Sequence, residues 1–245
     1  EELGLAVQKT GGWAAGIQLV SLDDRQHRNA EQTGPDKKSP QSDVFRYFAE
    51  SVFSGLETDL RNFLLETSIL DQFTPEICDA VRGETDSRFL ITSLVESNFF
   101  INCFDETNQL YRYHQLFAEF LQWELARQGK PVSTLLHQRA ADWFVRRGML
   151  IEATEHSLKA GDLSRAADLV EKQGADLLNQ EDNSMLRRWL DSFPTDVTYR
   201  RPYLNTLQAW LQINEMDLAA AEKSLVEAEK SLAELSANGP AMSPD

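Results

Sequence analysis

Cysteine is nearly missing from this chain. Only Cys78 and Cys103 occur among 245 residues, and they share no C-x-x-C spacing, so a disulfide framework is not available. Both sit in apolar runs and are expected to be reduced core thiols, which suits a cytoplasmic protein. Histidine is equally sparse. His27, His114, His137 and His156 share neither a helix face nor a metal-type spacing, so no metal site is expected. No apolar run approaches the length that crosses a bilayer, so no membrane partner is expected. Positive charge is also short: 24 Lys and Arg face 39 Asp and Glu, giving a formal charge of −15. Such a surface repels phosphate backbones and argues against broad nucleic-acid binding. The phosphate cradle G-x-x-x-x-G-K-[ST] is absent, because Gly129-Lys130 runs into Pro131 and position 124 is Glu. With no local Ser-His-Asp or Cys-His arrangement either, the chain is not expected to be an enzyme.

What is present is helical periodicity over 42% hydrophobic and 26% charged residues, the balance of a globular protein. Strand signal is scarce, so the fold class is mainly α. Three parts follow along the chain. Residues 1–43 read as a helix, a Gly11-Gly12 break, a second helix carrying Trp13, Ile17 and Leu22, and then the polar linker "RQHRNAEQTGPDKKSPQSD". The opening "EELGLAVQKTGGW" reads as a helix already under way, which suggests a piece of something longer.

Residues 44–130 read as one compact unit. "DVFRYFAESVF" starts with Asp43 as a cap, and "ETDLRNFLLETSIL" is a second amphipathic helix. "TPEICDAVRG" has Thr74 at the cap, Pro75 at the first helical position and Gly83 as the stop. "SRFLITSLVESN" is a fourth helix, with Phe89, Leu90, Leu94 and Val95 assigned to the core face. "FFINCFDETNQLYRY" then alternates like a hairpin around a polar turn. In "LYRYHQLFAEFL" the alternation gives way to helical spacing at His114. Helices, a two-stranded ribbon and a closing helix are the plan of a winged-helix domain. Such a domain can read DNA, but "SRFLITSLVESN" offers Arg88 as its only cation and also carries Glu96, so direct DNA contact is not expected.

Residues 131–245 read as helical hairpins, the units of a TPR-like α-solenoid. Gly148 precedes Ala153 by five residues, Gly161 precedes Ala166 by five, and Met216 precedes Ala221 by five. The first residue of each pair ends a helix, the Asp that follows Gly161 and Met216 can cap the next, and the alanine permits close helix approach. The final "SANGPAMSPD" is expected to fray, and an exposed last hairpin would point to further repeats. Trp143, Phe144, Trp189 and Trp210 read either as core or as the lining of a ligand groove.

His114 also has two readings. It is a half-buried residue at a helix start, or a phosphate contact, since the amino end of a helix offers unpaired N–H groups and partial positive charge. "TGGWAAGIQLVSL", "YFAESVFSGLETDLRNFLLETSILDQFTPEICDAVRG", "YRYHQLFAEFLQWEL" and "AADWFVRRGMLIEATEHSLKAGDLSRAADLVE" together resemble the MalT-like, LuxR-type transcriptional regulators, which are signal-transducing NTPases with numerous domains. The resemblance implies a winged-helix element between a nucleotide module and a helical-repeat arm, in a protein that switches between ADP and ATP. It implies that His114 contacts the β-phosphate of ADP, and that Gly12 and Trp13 lie by the adenine, although Ala14 stands where many relatives have proline. It further implies the chain's own nucleotide-binding and DNA-binding domains as partners, an inducer or regulatory protein on the repeat arm, and little ATP or ADP affinity in this piece alone. The competing expectation is a nucleotide-independent, TPR-like interaction scaffold.

Overall fold

The computed structural model describes residues 48, 52–97, 99–179 and 183–237. The expectations for residues 1–43, including Gly12 and Trp13, and for the Asp43 cap lie outside them. The chain divides into two compact units between Arg139 and Ala140.

The first unit opens with a short 3-10 turn, Phe53–Gly55, followed by α1 (Thr58–Thr67), α2 (Pro75–Arg82) and α3 (Ser87–Glu96). The ribbon β1 (Ile101–Asp105) and β2 (Leu110–Tyr113) follows, then α4 (Gln115–Arg127) and α5 (Lys130–Arg146), within which the division falls. Pro75 occupies the first turn of α2, and Gly83 closes the helix at φ 79°, a left-handed corner that glycine enters without penalty. Thr74 is the expected cap residue, but its side chain makes no capping bond. The strands pair antiparallel, with Ile101 opposite Tyr113, Asn102 opposite Arg112 and Cys103 opposite Tyr111. The register then skips, so that Asp105 pairs with Leu110 and Phe104 is the extra residue of a bulge. Phe73 adds a bridge on the other side of β2, its N–H donating to the Tyr111 carbonyl at 2.9 Å and its carbonyl accepting from Tyr111 N–H at 2.8 Å.

The core of this unit is aromatic. Phe117, Phe120 and Leu121 of α4 recur at helical spacing and are fully buried, as are Phe48, Phe63 and Phe73. Phe117 stacks on Phe100 with centroids 4.8 Å apart and meets Phe48 edge-on at 5.3 Å. Each buried ring of this size contributes about 1.5–3 kcal/mol over exposure.

Two expectations need correction. Phe89 is 75% exposed rather than part of the core face of α3, which is formed by Ser87, Ile91 and Leu94. The reason lies in Ser87, whose N–H donates to Asp79 Oδ1 at 3.0 Å and whose hydroxyl accepts from Arg82 at 3.2 Å. Fixing Ser87 inward turns a residue two positions on by about 200°, to the opposite face. Cys103 is exposed, because the ribbon leaves the core beyond Ile101, whereas Cys78 is buried as expected.

The second unit holds α6 (Leu150–Ala160), α7 (Leu163–Leu178), α8 (Ser184–Ser192), α9 (Thr195–Tyr199), α10 (Pro202–Asn214) and α11 (Leu218–Ala237). Its repeated corners are built alike. Gly148, Gly161 and Met216 all adopt left-handed backbone, with φ of 73°, 75° and 63°. After each, the next N–H reaches back five residues: Met149 to the Phe144 carbonyl at 3.0 Å, Asp162 to Ser157 at 3.0 Å, Asp217 to Gln212 at 2.9 Å. Asp162 Oδ1 then caps α7 through Arg165 N–H, and Asp217 Oδ1 caps α11 through Ala220 N–H, both at 3.1 Å. The three alanines, Ala153, Ala166 and Ala221, are all buried. Helix α7 is the centre of this unit and packs on α6 and α10. Closest approach comes at Gly174, where an added Cβ would lie 2.4 Å from Leu207 Cδ1. The fold is therefore mainly helical, a winged helix with one short ribbon followed by helical hairpins.

Candidate functional site

The site begins where the ribbon hands over to α4. Strand β2 ends at Tyr113, whose ring is sealed in the core, and the helix begins at Gln115. His114 lies between them as the N-terminal flanking residue, with φ −57° and ψ 134°. Its backbone is held at both ends: its N–H donates to the Phe100 carbonyl at 2.8 Å, and its carbonyl accepts from Ala118 N–H at 2.9 Å. The side chain makes no capping bond to α4, and both ring nitrogens are buried from solvent in a half-buried residue. The first turn of α4 contains no carboxylate.

These features bear on whether a phosphate fits. The amino end of a thirteen-residue helix, with an imidazole beside it and no acid in its first turn, is compatible with an anion. The cleft next to it is not. It encloses about 160 Å³ against β2 and α4, and its charged lining is Arg112 against Asp71 and Glu119. Two carboxylates to one guanidinium leave the cleft net negative, so an anion would meet the helix end itself and not this hollow. The other polar groups there are engaged locally: Gln122 donates to the Ser68 carbonyl at 2.9 Å, and Gln115 to Glu119 at 3.3 Å.

Neighbouring titratable groups do not supply a nucleophile. Burial pushes the Cys78 thiol well above its ordinary range, which keeps it protonated and inert. Burial likewise raises the Tyr113 hydroxyl. Among the described residues, no group of three or more His, Cys, Asp and Glu could hold a metal ion. No described helix is long and apolar enough to cross a membrane.

The face of α3 that a DNA-reading winged helix would use shows Arg88, Phe89, Thr92, Ser93 and Glu96. Its one cation is committed, since Arg88 donates to Glu76 at 3.0 Å and to the Gln109 side chain. The four aromatics considered for a groove do not share a surface. Phe144 and Trp189 are buried, Trp189 donating its indole N–H to Glu155 at 2.9 Å, while Trp143 is half-buried and Trp210 is 54% exposed. A polar cleft of about 450 Å³ does lie in the second unit, lined by Thr195, Thr198, Asn205, Gln208 and Gln212 from α9 and α10 with Lys223 and Glu227 from α11. A long-range clamp was not anticipated. Arg139 Nη1 donates to the carbonyls of Val81 and Arg82, at 3.1 and 2.9 Å, and so satisfies the carboxyl end of α2.

Compared with known proteins, residues 49–132 match the family described as the MalT winged helix domain. The segment is similar to that domain. Three curated relatives resemble more of the chain: the serine/threonine-protein kinase PknK of Mycobacterium tuberculosis strains CDC 1551 / Oshkosh and ATCC 25618 / H37Rv, and that of Mycobacterium bovis strain ATCC BAA-935 / AF2122/97. Each is 32% identical over 204 residues, which is 83% of this chain and 18% of the relative. The chain thus spans less than a fifth of the length of these relatives. The MalT winged helix match contains α1 to α4 and the ribbon, and with them the His114 junction.

Proposed function

We propose that this chain is a regulatory segment of a longer MalT-like protein, linking the nucleotide state of one part to a helical-repeat sensor arm. His114 is its switch contact: it meets the β-phosphate of ADP held by a nucleotide-binding module elsewhere in the longer protein, and loses that contact when ATP replaces ADP. A contact made in only one state biases the equilibrium between the two, which is what coupling requires. Gly12 and Trp13 take the adenine side of the same pocket. The repeat hairpins carry the input, an inducer or a regulatory protein, and the polar cleft of α9 to α11 is the place on the arm best equipped for a small polar inducer. The segment performs no chemistry itself, has little affinity for ATP or ADP alone, makes no direct contact with DNA and works in the cytoplasm.

The observation that carries the reading is the position of His114, on a fixed backbone at the start of a helix whose first turn has no carboxylate. The output belongs to the longer protein. In the MalT-like reading it is transcriptional activation through a LuxR-type DNA-binding domain. The similarity to proteins named as kinases fits a module that serves different outputs. The test is nucleotide content: the longer protein purified with His114→Ala should retain less ADP than the wild type. Equal ADP content would remove the switch.

A second reading, a scaffold indifferent to nucleotide, draws on the three matched corners at Gly148, Gly161 and Met216. It requires a partner that binds the longer protein equally with ADP and ATP.

A further inference from the structure

Two phenylalanines of the winged helix stand in solvent where a DNA-reading relative would present cations. Phe89 on α3 is 75% exposed and Phe104 on β1 is 68% exposed. Neither position is accidental on a loose element. Phe104 is the bulged residue between the pairs Cys103–Tyr111 and Asp105–Leu110, and a bulge re-aims the side chain it carries. The turn beyond it is locked by Asp105, whose Oδ1 accepts from the N–H groups of Thr107 and Asn108 at 2.9 and 3.1 Å. Arg88, next to Phe89, ties α3 to the same turn through Gln109 and is itself paired with Glu76. The two rings are therefore anchored on elements that are cross-linked before any partner arrives.

The exposed charge around them is predominantly acidic. Exposed Glu76 of α2, Glu96 of α3 and Glu106 of the ribbon turn, with half-buried Asp105 beside it, outnumber exposed Arg88, while the Arg82 side chain of α2 is buried and paired with Asp86 and Arg112 lies farther along β2. Rigid aromatic anchors at low ordering cost are what protein interfaces concentrate their affinity in, and an acidic rim selects the charge of the partner. We propose that the face formed by α3 and the ribbon is a docking surface for a protein segment carrying apolar anchors flanked by Lys or Arg. It is independent of His114 and of any nucleotide.

The experiment pans a random twelve-residue peptide library against the immobilised 245-residue chain, with the double variant F89A/F104A as counter-target. Both rings are exposed, so the variant should keep the wild-type circular dichroism. The expected result is a set of peptides rich in Lys or Arg beside aromatic or aliphatic residues. Each should bind the wild type at least about tenfold more tightly than F89A/F104A, and should weaken on the second variant E96K/E106K. A 25-base-pair duplex should not displace them. Peptides that bind wild type and F89A/F104A alike, an acidic consensus, no enrichment, or displacement by the duplex would each overturn the proposal, the last by making the face a nucleic-acid site.

Discussion

The hydroxyl of Tyr113 donates to Thr67 Oγ1 at 2.6 Å, and the direction is fixed by chemistry. Thr67 Oγ1 has already spent its only proton on the Phe63 carbonyl, also at 2.6 Å, so it accepts from tyrosine. Both side chains are buried, and the bond pins the end of β2, one residue before His114, to α1. Tyr113→Phe should therefore cost about 0.5–1.5 kcal/mol in urea unfolding, while preserving the helical circular dichroism.

The same burial predicts an alkaline limit. Tyr113 is held well above its ordinary value of 10.0, and Cys78 well above 9.0, in both cases chiefly by desolvation. Both are neutral when protonated, so the native chain holds these protons more tightly than the unfolded chain does. Each contribution is complete below the group's ordinary value and is lost as pH rises from that value toward the raised folded one, at up to about 1.4 kcal/mol per pH unit for each group. Urea midpoints measured from pH 8 to 11 should fall, and the fall above pH 10 should be shallower in Tyr113→Phe.

Gly161 and Met216 sit in the same left-handed corner, but only glycine does so without cost. Met216 is 81% exposed, so its side chain gives little packing in return. Met216→Gly should raise stability by up to about 1 kcal/mol, and Gly161→Ala should lower it by about 1 kcal/mol, both read as shifts in the urea midpoint.

At Gly174 the opposite logic applies. Alanine is the better helix former by about 1 kcal/mol, yet its Cβ would strike Leu207 Cδ1 at 2.4 Å in a fully buried contact. Overpacking of this kind costs about 1–3 kcal/mol, so Gly174→Ala should be net destabilising. Combining it with Leu207→Val should recover part of the loss, and a double-mutant cycle by thermal unfolding would measure the coupling.

Local signals made much of this fold legible. Alternation around "FDETNQ" marked the ribbon, Pro75 and Gly83 bracketed α2, and the five-residue spacing to Ala153, Ala166 and Ala221 marked the corners, including the one where Met216 replaces glycine. What depended on distant partners was not legible. The face of α3 is set by Ser87 bonding to Asp79 and Arg82, which no apolar period records, so apolar spacing alone puts Phe89 on the wrong side. Arg139 reaches Val81 over 58 residues, with nothing nearby in sequence to announce it. At the site, the handover from alternating to helical spacing located His114, because a helix start is a local event. The acidic lining beside it, contributed in part by Asp71, belongs to chain segments far apart.

The central claim is that His114 reports on bound nucleotide, and the rate at which ADP leaves the longer protein tests it most directly. With a fluorescent ADP analogue and an excess of unlabelled ATP, His114→Ala should release the analogue about tenfold faster than wild type, with raised output in the absence of inducer. An unchanged release rate, together with unchanged basal output in a variant that keeps its helical content, would contradict the account.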